Sequence, residues 1–352
     1  MHQLTYGDIK AAADRITGHI RPVALAPLDA GAIRTGPRAP LDDRPEQPCH
    51  IWLALEFMQH TGSFKARGAH NFLQAHRDAG TLPTAGVTIA SGGNAGLACA
   101  WAARRHGVPA TVFLPATAPQ VKVDKLRSYG ADVQLTGTEY ADALTACQDF
   151  AATTGALASH AYDHPLIAAG AGTLLEEIHQ QIPDLDTVIV AVGGGGLFTG
   201  IATAAQHHNI RTVAVEPNNC RALNAALQTG RPIDVTVDSI AADSLGARRT
   251  SAMALNAARQ DRVHSVLVPD TEIIRARQML WDHRRLAVEH GAATALAALT
   301  SPDQHHPDRD FACRRPHLPG SSYRPGNGEK VCVVLCGANT DPTDLIHGST
   351  EH

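Results

Sequence analysis

From about residue 51 onward, short runs of β-branched and apolar residues alternate with longer alanine-rich stretches whose apolar positions recur at helical spacing. The short runs fall at 51–57, 87–90, 110–114, 133–135, 187–192, 212–215 and 331–335, and each predicts a strand. Strands separated by helices build parallel sheets, since a parallel neighbour is reached only by a long crossover. The runs 187–192 and 331–335 are almost wholly apolar, the pattern of strands covered on both faces, so both should be central. The expected class is α/β, with two domains of mostly parallel sheet and helices on both faces. The β-α units of 86–162 form a compact set, which predicts a small domain inserted into a larger one made of 1–85 and 163–352. The stretch 301–329 is rich in Pro, His, Arg and Gly, has no apolar period and predicts a solvated loop. Its His305-His306 pair is normal content for an exposed polar loop, and no metal site is expected.

Composition narrows the partners. With 352 residues, 44% of them hydrophobic, the chain is long enough for one large core or two linked ones. A net charge of -4 gives no basic footprint for nucleic acid or an anionic membrane, so a small-molecule partner is expected. The opening MHQLTYGDIK lacks an apolar core after a basic start, and no apolar run approaches the ~20 residues of a membrane helix, which predicts a cytoplasmic protein. The seven cysteines (Cys49, Cys99, Cys147, Cys220, Cys313, Cys332, Cys336) are odd in number and form no CxxC pair, so reduced thiols are expected.

Four short segments carry candidate chemistry. The first, His60-Thr-Gly-Ser-Phe-Lys-Ala-Arg-Gly-Ala69, sets a glycine turn after a strand, then Ser63 at the expected N-cap, then a helix opening with Phe64 and Lys65. The chain has five lysines, and arginine supplies most of its positive charge. A lysine kept at this junction suits a nucleophilic amine, because an amine forms an imine and a guanidinium does not; a surface lysine at a helix start would look the same. The second segment, Ser91-Gly92-Gly93-Asn94, follows a strand and opens a helix, where free N–H groups favour an anion such as a carboxylate; a tight turn accounts for its glycines equally well. In the third, Gly193, Gly194, Gly195 and Gly196 precede Leu197 and a helix expected near Phe198, a backbone nest suited to phosphate. It lacks the Gly-Lys-Ser/Thr ending of a nucleotide loop and fits the dinucleotide spacing only loosely through Gly200, which favours a single phosphate. The fourth places Cys336 at the end of the last strand, the edge where such sheets gather ligands, although a buried cysteine is often only packing.

In this order and with these gaps, the four segments resemble the fold type II pyridoxal 5'-phosphate (PLP) enzymes, which are tryptophan synthase β-like. The nearest likeness is to the serine/threonine dehydratase (ammonia-lyase) family, over roughly Leu4 to Asp341. The resemblance implies that Lys65 carries PLP as a Schiff base and, once freed, removes the substrate α-proton. By the same resemblance Phe64 would pack on the ring, Asn94 would hydrogen-bond its hydroxyl, and the amides of Gly193, Gly194, Gly195, Gly196 and Leu197 would hold the phosphate. Cys336 would face the pyridine nitrogen, and Ser91, Gly92, Gly93 and Asn94 would receive the substrate carboxylate. The implied reaction is α,β-elimination from L-threonine or L-serine to a 2-oxo acid and ammonia. Racemases of this group carry a serine as second acid/base where this chain has Gly92, which argues against racemisation. Glu216 matches a cation-binding glutamate of some relatives, but the expected acidic partner is Ala222, so Glu216 reads as structural. Bulkier β-hydroxy amino acids, a β-replacement synthase of the cysteine synthase type and a nucleotide-binding protein without PLP are the alternatives. A homodimer is implied, and no regulatory domain is expected in the eleven residues after Asp341.

Overall fold

In the computed structural model, which describes residues 3–29, 48–300 and 323–346, the apolar runs assemble into two sheets. The strands are β1 Leu25–Pro27, β2 His50–Ala54, β3 Val87–Ala90, β4 Ala110–Leu114, β5 Asp132–Leu135, β6 Leu157–Ala158, β7 Thr187–Ala191, β8 Arg211–Pro217, β9 Val263–Val268 and β10 Lys330–Val334. The larger sheet runs β1-β2-β10-β7-β8-β9 and is parallel except for β1 against β2; the smaller runs β5-β4-β3-β6 and is parallel throughout. The two strands expected to be central, β10 and β7, stand third and fourth in the larger sheet, and nearly all of their residues are buried.

All seven predicted runs form strands, with one clear difference. The first stops at Ala54, because the backbone turns at Leu55 into a 3-10 turn, Glu56–Met58, that buries the Glu56 carboxyl against Arg67. Three strands escaped prediction. β1 and β6 are too short to show a period, and β9 interrupts its apolar residues with His264 and Ser265, as suits its place at the sheet edge.

Each sheet has its own core. The smaller one joins Val87, Ile89, Val112 and Leu114 of its strands to Ala66, Phe72 and Leu73 of the Lys65–Asp78 helix. That helix precedes the smaller sheet in the chain yet packs on it, while β2, immediately upstream, lies in the larger sheet. Lys65 therefore sits where the chain passes between the two cores.

Of the expected loop at 301–329, only 323–329 falls within the described residues; His305, His306 and Cys313 lie outside them. This end is irregular but anchored: Tyr323 and Glu329 bond to each other, and both engage Arg211 and Thr187 at the start of β8 and β7. The six described cysteines are free and buried. Among the described residues no helix is long and apolar enough to cross a membrane, and no His/Cys/Asp/Glu group is arranged to hold a metal ion.

Candidate active site

The four segments leave the carboxyl ends of β2, β3, β7 and β10, the edge at which parallel sheets present loops to ligands. The chain beyond β10 lies along the lysine segment. Phe57 N donates to Leu335 O at 2.9 Å, Phe64 N to Cys336 O at 3.0 Å and Ala338 N to Gly62 O at 3.0 Å. Between these bonds Thr61 adopts a left-handed φ of 62°, uncommon for a β-branched residue and a mark of a turn held by its surroundings.

The helix begins at Lys65, with Phe64 in the N-cap position, so the expected Ser63 cap is not made. Ser63 is extended, its backbone pairing with Gly337, and its buried Oγ has no hydrogen-bond partner among the described residues. The Lys65 amine donates to Ala161 O at 2.6 Å and stands 4.9 Å from the Phe64 ring centroid. Desolvation lowers its pKa from 10.5 to about 8, against a smaller opposing pull from Cys336 and Glu289.

Asn94 opens the Asn94–His106 helix behind an extended Gly93 that makes no side-chain cap, so the first-turn N–H groups lack a capping partner. Its amide is gripped at both ends: Nδ2 donates to the two Glu289 carboxyl oxygens at 3.0 and 3.1 Å, and Oδ1 accepts from Asn339 Nδ2 at 2.6 Å. Glu289 and Asn339 were missed as site residues. Glu289 is buried, and burial pushes its carboxyl up while the Asn94 bond pulls it down. A Cβ at Gly337 would meet Glu289 Oε1 at 2.2 Å, so the backbone beside Cys336 fits closely against this acid. Cys336 is buried, and burial first, then Glu289, raises its pKa, so the thiol is neutral.

The glycine loop leads into the Gly196–His207 helix, which starts two residues before the expected Phe198. Gly195 is left-handed at φ 100°, and a Cβ there would lie 2.4 Å from Ala254 Cβ. A Cβ at Gly194 would strike the Tyr162 ring at 2.4 Å. Both positions therefore demand glycine. Ser251 N donates to Gly194 O at 3.1 Å and Tyr162 OH to Arg249 O at 3.1 Å, which straps the loop from two sides. Leu197 is buried, so of that residue only the backbone remains for a phosphate. Gly92 has Leu114 Cδ2 2.7 Å from where a Cβ would stand. Away from this cluster, Glu216 is buried and accepts from Leu223 N at 2.7 Å and Asn224 N at 2.8 Å, capping the Ala222–Thr229 helix. Its contacts are structural.

A desolvated amine, a side-chain-free loop at a helix start, a neutral thiol and an unpartnered buried hydroxyl at Ser63 all fit a group with an aldehyde, a phosphate and a polar ring. A family model described as "Pyridoxal-phosphate dependent enzyme" matches residues 35–312. The chain belongs to this family. Among its relatives, L-threonine ammonia-lyase of Geobacter sulfurreducens is 38% identical over 71% of this chain, a match spanning 62% of that protein's own length. The human protein named serine dehydratase-like is 34% identical over 82% of this chain and 85% of its own. The solved structure of maize serine racemase superposes with a TM-score of 0.81 at 26% identity, covering 98% of this chain and 97% of that one. The pyridoxal-phosphate dependent enzyme described here thus has dehydratase-like relatives in sequence and a racemase among its structural neighbours.

Proposed function

We propose that this enzyme is a serine/threonine dehydratase, releasing a 2-oxo acid and ammonia from L-threonine or L-serine by α,β-elimination. The observation that carries the reading is the partly desolvated Lys65 amine, bonded to a backbone carbonyl and to no carboxylate, with Gly92 offering no second acid or base where a racemase needs one. Bound PLP supplies an electron sink for the pair released at the substrate Cα. The chain's own residues do the rest. With its pKa near 8, the amine of Lys65 is largely neutral only at mildly alkaline pH, where it can take a proton. The open helix start at Ser91, Gly92, Gly93 and Asn94 receives the substrate carboxylate. The amides of 193–197 would hold the phosphate, and Phe64 would pack against the ring. Glu289 and Asn339 hold the amide of Asn94, which would meet the ring hydroxyl. Cys336, kept neutral by burial, would put no fixed negative charge against the ring nitrogen, which would favour loss of a β-hydroxyl.

We read 86–162, which carries the smaller sheet, as the inserted domain on its run of β-α units, and the protein as cytoplasmic on its N-terminal composition; a homodimer follows the resemblance. The test is to purify wild type and Lys65→Ala, record visible absorption, and assay 2-oxo acid and ammonia after adding L-serine or L-threonine. A lysine-bound cofactor band in wild type alone, with both products released, supports the proposal. D-serine formation without oxo acid would turn it to racemisation, and a product appearing only with added thiol would turn it to β-replacement.

A further inference from the structure

His160 belongs to none of the four motifs, yet it stands beside the lysine. It lies in the loop between β6 and the Pro165–Gln181 helix, and its neighbour Ala161 supplies the carbonyl that receives the Lys65 amine at 2.6 Å. The next residue, Tyr162, packs on Gly194 of the glycine loop, and the His160 and Tyr162 rings meet edge to face at 4.8 Å. The segment 160–162 therefore touches both the amine and the phosphate cradle.

The imidazole is also prepared electronically. Its Nδ1 accepts from the backbone N–H of Asp163 at 2.8 Å and of Tyr162 at 3.2 Å, so that nitrogen carries no proton. Desolvation lowers the ring's pKa; the Lys65 charge pushes the same way and Asp163 opposes. The neutral ring thus holds its proton on Nε2, which has no hydrogen-bond partner among the described residues, and the residue is exposed. In the proposed reaction, Lys65 serves the α-carbon, the 91–94 segment the carboxylate and the 193–197 loop the phosphate. The β-hydroxyl is the one substrate group left without a partner, and Nε2–H is an uncommitted donor on the residue next to the carbonyl that holds the lysine.

We propose that His160 contacts the substrate, its Nε2–H donating a hydrogen bond to the β-hydroxyl and so selecting β-hydroxy amino acids over other β-substituted ones. The inference rests on the dehydratase reading above. His160 keeps its proton throughout and acts as an orienting donor.

The experiment compares wild type, His160→Leu and His160→Gln on L-serine and on β-chloro-L-alanine, whose chlorine leaves readily and is a poor hydrogen-bond acceptor. His160→Leu is expected to lower kcat/KM for L-serine by about 10- to 100-fold, the scale of one lost polar contact, and to change that for β-chloro-L-alanine by less than about threefold. His160→Gln, whose carboxamide can donate, should keep L-serine turnover within about threefold of wild type. Cofactor absorption should be unchanged in both variants. Loss of both substrates in parallel, or of neither, overturns the proposal. So does an imidazole ¹⁵N spectrum, assigned by its missing resonance in His160→Gln, that places the proton of the neutral ring on Nδ1. Should wild type bind cofactor yet eliminate from neither substrate, the dehydratase reading fails first, and this inference falls with it.

Discussion

Lys65 and Arg67 stand two residues apart on one helix, and the fold treats their charges in opposite ways. Arg67 is fully buried and saturated: its guanidinium donates to Glu56 at 2.6 and 3.0 Å, to Glu177 at 2.6 and 2.9 Å and to Thr173 at 3.2 Å. Burial alone would lower its pKa, and the two carboxylates outweigh that, holding it above its usual value. Lys65 receives one carbonyl and no bonded carboxylate, and its pKa falls. A buried cation bonded to acids ties elements together, whereas one left short of partners is pushed toward its neutral, reactive form. Residue type follows the same division: a guanidinium stays charged and bonds bidentately, and an amine shifts readily.

The sharpest way to break this comparison is to remove each cation and ask what is lost. Lys65→Ala should cut elimination by at least about 10³-fold, the order of a lost positioned base, and leave the unfolding midpoint in urea unchanged or higher. A large stability loss would place Lys65 with Arg67 among the structural charges. Arg67→Met should do the reverse, destabilising the fold by about 3–5 kcal/mol in urea titrations because the buried Glu56 loses its partner. A variant as stable as wild type would show that the buried network is dispensable.

A smaller effect is expected one shell out. Glu289→Gln replaces one of the acceptors that fix the Asn94 amide, and equilibrium dialysis should show PLP retained about tenfold more weakly, the scale of a lost charge-assisted hydrogen bond. Unchanged retention would mean that Asn339 alone orients Asn94.

The smallest effect is one of pH. A lysine whose folded pKa lies below its unfolded value destabilises the fold while charged, so its contribution is fully favourable above pH 10.5 and is lost as pH falls toward about 8. Cofactor-free enzyme should therefore gain stability between about pH 8 and 10.5 relative to Lys65→Met, in urea titrations at stepped pH. The gain is modest because Lys65 keeps partial solvent access. Equal slopes for the two proteins would indicate an amine that titrates as in water.

Much of this site was legible as short segments: a lysine at a strand-helix junction, glycines before a helix, a cysteine ending a strand. Each speaks through local rules of strand ends, helix starts and glycine conformations, which act over a few residues. The partners that tune them were not legible. Glu289 is a lone acid at the head of an alanine-rich helix, and nothing nearby marks it as the acceptor for Asn94, 195 residues upstream. Arg67 was visible in the lysine motif without a role, because Glu56 and Glu177 reach it only through the fold. Ser63 misled, since the N-cap preference for serine assumes a free chain, and pairing with Gly337 decided otherwise.

By itself the sequence determined the α/β class, the existence and central place of β7 and β10, and the segments that carry lysine, glycines and cysteine, because apolar period and turn chemistry are local properties of the chain. Only the tertiary structure decided that β10 inserts between β2 and β7, that the lysine helix packs on the smaller core, that Glu289 and Asn339 meet Asn94, and that Ala161, next to His160, meets the Lys65 amine. Those outcomes depend on which distant surfaces exclude water together, and on the desolvation of each polar group that follows, and neither is written in the spacing of neighbours along a chain.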